Sequence, residues 1–259
     1  MCKMRTLGAA TGATILNQDI YELSATQKHR LGTRVMRGDR VFRYAKAIAS
    51  FTKTSTLCYS QYHQDINYAA IATASPADSN KIYVTVGAAD GIANDGVFAA
   101  HSLEGGSLVI FDATANENMY FDIVDNDAAV SAGTITITLD GALPLATVAT
   151  TYHVEAIGSP YRVNNGNCGG LRYWAGLPMR MATTTNPYHW LQTWGPCWVA
   201  PQASVGAGAN VGCVVARHDG SLDVQETGGY EDAQIVGSVM SWAQGGTQGA
   251  PIVMLQIAP

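Results

Sequence analysis

Tyr188-His189-Trp190-Leu191-Gln192-Thr193-Trp194-Gly195-Pro196-Cys197-Trp198-Val199 is the stretch on which the fold turns. At period two, His189, Leu191 and Thr193 share one face, and Tyr188, Trp190, Gln192 and Trp194 share the other, which is the alternation of a strand. Three Trp within nine residues, with Tyr188 beside them, make the densest aromatic patch in the chain. Each such ring covers roughly 150–250 Å². One face is expected in a β core and the other against a neighbour; the competing reading places all three Trp in the core. Gly195-Pro196 is expected to break the strand, and Val199-Ala200 to resume it.

Outward from that strand, the pattern is all-β. Lys81–Val86 alternates apolar and polar residues, Thr134–Leu139 reads as a half-buried strand, and Ser107–Asp112, Met119–Val124 and Tyr152–Ile157 are further short strands. Turns at Asp90-Gly91, Asn94-Asp95-Gly96, Glu104-Gly105-Gly106 and Asp140-Gly141 punctuate them. Val211–Ala216, Ser221–Val224, Ile235–Trp242 and Pro251–Ile257 continue the series. Short strands at this spacing predict a β-sandwich or barrel-like body of short antiparallel strands. Leu31–Val35 and Val41–Ala45 flank Met36–Arg40 as a hairpin with a Gly-Asp turn. That chemistry accounts for Arg37-Gly38-Asp39 better than its spelling of an adhesion tripeptide does. Residues 1–30 hold little to bury and read as an extended N-terminal arm, with a short helix conceivable over Ile20–Arg30. Ala45–Ala74 is rich in Ala, Ser and Thr; a short helix near Ala45–Ser50 is its one suggested element. The resulting division is 1–30 arm, 31–80 hairpin and connecting segment, 81–160 β-rich middle region and 161–259 β-rich C-terminal region.

The 259 residues are 47% hydrophobic and only 14% charged, where a typical domain is about 25% charged. Such a surface is neutral or covered by other protein. The net charge of −5 gives nucleic acid no bulk attraction. No run approaches the roughly 18 apolar residues of a membrane helix, and Met1–Leu16 is too short and polar for a signal peptide. Five widely spaced Cys (2, 58, 168, 197 and 213) without CxxC suggest reduced thiols.

Catalytic and metal motifs are absent from the sequence: no Walker loop, GxGxxG, HExxH or GxSxG occurs, and the six His lack ligand spacing. His63 and Asp65 suit a hydrogen-bonded pair. Asp125-Asn126-Asp127 lacks the glycine and distal Glu of a calcium loop. Glu226, Glu231 and Asp232 flank a Gly-Gly turn and read as solvated. No enzyme activity, cofactor or metal is expected. Tyr and Trp on a β scaffold can also stack sugars, so a carbohydrate-binding role stays open beside protein contact.

Several segments in order resemble the head decoration, or cement-type, structural proteins of tailed bacteriophages. They are Leu31-Gly32-Thr33-Arg34-Val35 with Asp39-Arg40-Val41-Phe42-Arg43-Tyr44-Ala45-Lys46-Ala47, then Gly105-Gly106-Ser107-Leu108-Val109-Ile110, then Tyr120-Phe121-Asp122-Ile123-Val124-Asp125-Asn126. Tyr188 to Pro196 follows, with a Gly-bounded strand, an Asp-Gly turn and Ile235-Val236-Gly237. The resemblance covers residues 31–259 and brings no active-site residues with it. It implies a protein on the capsid exterior that binds the major capsid protein and forms homo-oligomers, trimers being common among such proteins. A head fibre, neck or tail component is the neighbouring expectation. The arm and the 31–46 hairpin would reach over capsid seams, and Tyr21, Leu31, Phe42, Tyr44, Trp190, Trp194 and Trp198 are the expected contact residues. Neither nucleic acid nor membrane is an expected partner.

Overall fold

A computed structural model describes residues 17–60, 64–112, 117–166, 173–201, 205, 212–225, 233–241 and 252–259. The first strands are β1 (Arg34–Arg37), β2 (Arg40–Lys46) and β3 (Cys58–Ser60). Then come β4 (Ile66–Thr73), β5 (Lys81–Thr85), β6 (Val97–Phe98), β7 (Ser107–Asp112), β8 (Asn118–Asn126), β9 (Ala129–Val130), β10 (Thr134–Leu139) and β11 (Tyr152–Ile157). The last are β12 (Asn164–Asn165), β13 (Trp174–Pro178), β14 (Tyr188–Trp198), β15 (Cys213–Ala216), β16 (Leu222–Val224), β17 (Ile235–Val239) and β18 (Ile252–Gln256). The fold is all-β, and no helix occurs among the described residues. The two short helices conceivable from the sequence are therefore absent. Asp19–Glu22 is a turn, and Ala47 donates to the Pro187 carbonyl, which keeps that segment extended.

Six strands close into an antiparallel barrel in the order β10-β5-β4-β11-β7-β8. Thr134-Ile-Thr-Ile-Thr-Leu139 shows why: every Ile and Leu is buried while the Thr alternate outward. Ile71, Ile82, Ile110, Ile123, Ile137 and Val154 meet inside, all fully buried. Each such side chain contributes about 1.5–3 kcal/mol. The barrel draws β4 from within the segment expected to be hairpin and connection, so its span, 66–157, crosses the boundary expected at 80.

The remaining main strands form one ten-stranded sheet. It joins β1–β3, before the barrel in sequence, to β12–β18, after it. The barrel is thus an insertion in the sheet body, and the chain crosses between them at Asp65 and at Gly158–Arg162. Asp65 is fully buried and pairs with the Arg162 guanidinium. It also accepts the Gly158 N–H at 2.7 Å, while Arg162 Nη1 donates to the Ser102 carbonyl at 2.6 Å. One buried ion pair thereby staples both stems. Arg162 and Gly158 are partners of Asp65 among the described residues; the expected pair with His63 lies outside them.

The aromatic strand β14 splices the sheet together. It pairs with β2 along Tyr188–Trp194, with β13 at Leu191–Gln192 and with β18 along Trp194–Trp198. It does not break at Gly195-Pro196. Pairing to β2 ends at Trp194, and the buried Gln192 Nε2 sits 3.0–3.2 Å from the carbonyls of Trp194, Gly195 and Pro196. Those side-chain bonds satisfy carbonyls of β14 where its pairing to β2 ends. Gly195 adopts φ +95°, and a Cβ there would strike the Asp39 carbonyl. Its absence lets the β1–β2 turn lie on β14. That turn is a two-residue Gly38-Asp39 loop with Gly38 at φ +60°, the conformation a tight hairpin requires.

Residues 17–30 are docked on the body. Gln18 is buried and donates to the carbonyls of Glu22 (2.8 Å) and Tyr188 (3.0 Å). It accepts from Tyr44 Oη at 2.7 Å, and its own carbonyl accepts from Trp190 Nε1 at 3.2 Å. Ile20 fills the same cluster as Phe42, Tyr44 and Trp190. An arm ordered only by an external surface is therefore not what residues 17–30 are; residues 1–16 lie outside the described part.

Candidate functional site: the outer face of the sheet body

The seven expected contact residues separate into three groups. Phe42, Tyr44 and Trp190 are fully buried, so they are core rather than contact residues. Docking of residues 17–30 covers the β14 face that carries Trp190, and burial pushes the Tyr44 hydroxyl pKa up to about 12. Leu31 and Trp194 are half-buried. Tyr21 and Trp198 are exposed, Trp198 by 44%.

Trp198 belongs to a larger surface. Register places Trp194 beside Gln256, Pro196 beside Met254 and Trp198 beside Ile252. Met254 is in turn beside Ser238, and Ser238 beside Cys213. These residues share the outward face of the sheet, because cross-strand partners lie on one side. The alternate residues Cys197, Val253, Leu255 and Val214 point into the opposite core. On the outward face Trp198, Ile252 and Met240 are all exposed, and Met240 is tied to Ile252 by a backbone bond of 2.8 Å. Cys213 is on the exposed side and Cys197 on the buried side, where burial pushes its thiol pKa up to about 12. The two thiols do not meet. Cys2 and Cys168 lie outside the described residues, as do Glu226, Glu231, Asp232 and Gly245–Gly249.

Charge is distributed unevenly around this face. The barrel span 66–157 holds eleven Asp and Glu against Lys81 alone, a formal −10. Since the whole chain is −5, everything outside the barrel sums to +5. The β1–β2 hairpin concentrates the excess: Arg34, Arg37, Arg40, Arg43 and Lys46, with Asp39 the single acid. Register sets Arg34 opposite Arg43 and Arg37 opposite Arg40, a like-charge pairing that destabilises a hairpin. Local partners relieve part of it. Arg37 pairs with Asp19 at 2.7 Å, Arg40 lies over the Phe42 ring and Lys46 over Tyr188, and Arg43 donates to the carbonyls of Gly32 and Pro259. Arg34 is exposed with no ion-pair partner among the described residues. β1 has β2 as its only strand neighbour there, which leaves a polar backbone edge open for strand addition.

Elsewhere the polar side chains hold structure. His189 is fully buried in the sheet body, donates from Nδ1 to the Pro187 carbonyl and packs edge-on against Phe51. Burial lowers its pKa to about 4, so it is neutral. In the acidic turn, Asp125 meets His101 Nδ1 at 2.7 Å and Asp127 accepts the Thr136 N–H at 2.7 Å. No three His, Cys, Asp or Glu side chains converge as metal ligands among the described residues. No protein-family model, curated protein or solved structure matches the chain.

Proposed function

We propose that the protein is a bacteriophage head decoration protein that docks its sheet body on the outer surface of the major capsid protein shell and stabilises the head. The observation that carries this reading is the joining of an outward Trp198–Ile252–Met240 face to a basic hairpin in one sheet. Apolar contact supplies affinity, while the arginines supply orientation and encounter rate toward an acidic surface. The open β1 edge adds a backbone contribution. The acidic barrel is not the docking part; its −10 would oppose the same surface. The resemblance over 31–259 supports the same role. Each contact can be weak, because copies on a closed shell act together. In this reading the copies associate as homo-oligomers at capsid symmetry points, with a trimer at a three-fold position as the form the resemblance implies.

The test is co-sedimentation with emptied phage heads. Wild-type protein should pellet with the heads and be released progressively toward about 1 M salt, where the screening length falls to about 3 Å. The double variant Trp198→Ser, Ile252→Ser should bind at least tenfold more weakly. Retention unchanged by both salt and the double variant would sink the docking face.

A further inference from the structure

We infer that the barrel carries a second binding site, for a neutral saccharide, on the outer face of β4, β11, β7 and β8. Register lays three rows across that face: His153–Phe111–Asn118, Glu155–Val109–Tyr120 and Ile157–Ser107–Asp122. The first row is extended by Tyr68, whose ring stacks on His153 at 4.1 Å between centroids with a 24° interplanar angle. Phe111 continues the stack, 5.7 Å from Tyr68 and 6.1 Å from His153. Tyr68 is 53% exposed and Tyr120 69%. Between Tyr120 and Gln64, on the rows next to that stack, runs a groove of about 140 Å³ lined by Val109, Glu155 and Ile157. Gln64 Nε2 donates to Glu155 Oε2 at 2.8 Å at its rim.

Tyr68 is held there against its own preference. Pairing of β11 with β4 slips so that Asn67 and Tyr68 together oppose Glu155, a β-bulge. Tyr68 takes φ +50°, which a bulky residue adopts only under constraint. Asp90 supplies the constraint. Its carboxylate accepts the Gly87 N–H at 2.7 Å and lies 3.4 Å from the Asn67 N–H, and Gly91 N–H donates to the Asp65 carbonyl at 2.6 Å. A bulge re-aims a side chain, and this one turns an aromatic ring outward beside the groove.

The chemistry of the face selects the ligand. A pyranose has an apolar C–H side and a rim of hydroxyls. The C–H side suits the exposed rings of Tyr120 and Tyr68, and the rim suits amide and carboxylate groups such as Gln64, Glu155 and Asn118. The two aromatic rows are two residues apart along the strands, roughly 7 Å, so an oligosaccharide can touch both. A formal −10 over the barrel repels acidic sugars and leaves neutral ones. The site uses no residue of the docking face and does not depend on shell binding; on a coated surface its weak affinity would be multiplied by copy number.

The experiment is saturation-transfer NMR on the full chain with neutral gluco-, galacto- and N-acetylglucosamine oligosaccharides and with sialylated and sulfated ones. Transfer to at least one neutral oligosaccharide is expected, reduced at least tenfold in affinity by Tyr120→Ala and by Tyr68→Asn. The Tyr120 ring is exposed, so Tyr120→Ala should leave the unfolding midpoint unchanged and separate binding from folding. Asn tolerates the backbone of position 68. The inference is overturned by no transfer to any neutral oligosaccharide, by affinity unchanged in both variants, or by preference for the anionic sugars.

Discussion

Between Ile66 and Ile157 six strands close on themselves, fill their interior with Ile, Val and Leu, and carry a formal −10. Around them the ten-stranded sheet stays open at β1, packs Trp174, Trp190, Tyr44 and Phe42 inside, and carries the chain's positive excess. The contrast separates two ways of offering a surface. A closed barrel has no edge, so it can present only side chains standing on its outer face. An open sheet presents side chains, a backbone edge and a charge pattern together. The barrel's outer face is accordingly aromatic and acidic around Tyr68 and Tyr120, while the sheet body combines Trp198 and Ile252 with the arginine hairpin.

The largest test of this division is Asp65→Asn. Arg162 would be left buried without its charge partner, at a cost of about 3–5 kcal/mol. Calorimetry should then resolve two unfolding transitions where the stapled wild type shows more closely coupled ones. A variant that unfolds like wild type would mean the two bodies are joined some other way. Trp190→Ala should cost about 3–5 kcal/mol and act on the sheet transition, by emptying the cluster beneath Gln18.

A smaller effect comes from His189. Its folded pKa near 4 lies below the ordinary 6.5, so between those values the unfolded chain binds more protons than the folded one. Stability should be complete above pH 6.5 and fall as the pH drops toward 4, by about 3 kcal/mol in all from this group. The loss belongs to the sheet body. Urea titrations at several pH values should show His189→Gln with a flatter dependence than wild type across that window. Smallest of all is Trp198→Ser, which should change stability by less than about 0.5 kcal/mol, as surface substitutions do, and reveal itself only in shell binding.

Alternation in Thr134–Leu139, and short apolar runs bounded by turn residues elsewhere, made most of the barrel legible in the sequence. Thr134–Leu139, Ser107–Asp112 and Tyr152–Ile157 have the ends expected of them. β4 was hidden because the bulge at Asn67–Tyr68 breaks its period and five of its eight residues are Ala, Thr or Asn, which carry little pattern. The inserted topology was not legible either: Asp65 and Arg162 are 97 residues apart and nothing local announces their pairing. At the site, period two divided the faces of Tyr188–Trp198 but could not say how much of the tryptophan face residues 17–30 would cover. Trp190 lies under that covering and Trp198 beyond it. Gln18, which organises the covering, is a lone polar residue in a polar segment. The groove on the barrel was invisible because Gln64, Val109, Tyr120 and Glu155 come together only through the chain's folding.

Quantitative mass spectrometry of gradient-purified phage particles tests the central claim most directly, with the major capsid protein as internal scale. The decoration reading predicts a copy number proportional to the capsid subunits or capsomers, lowered in parallel with binding in the Trp198→Ser, Ile252→Ser variant. A handful of copies per particle would assign the protein to the neck or tail, and its absence from particles would contradict the structural role altogether.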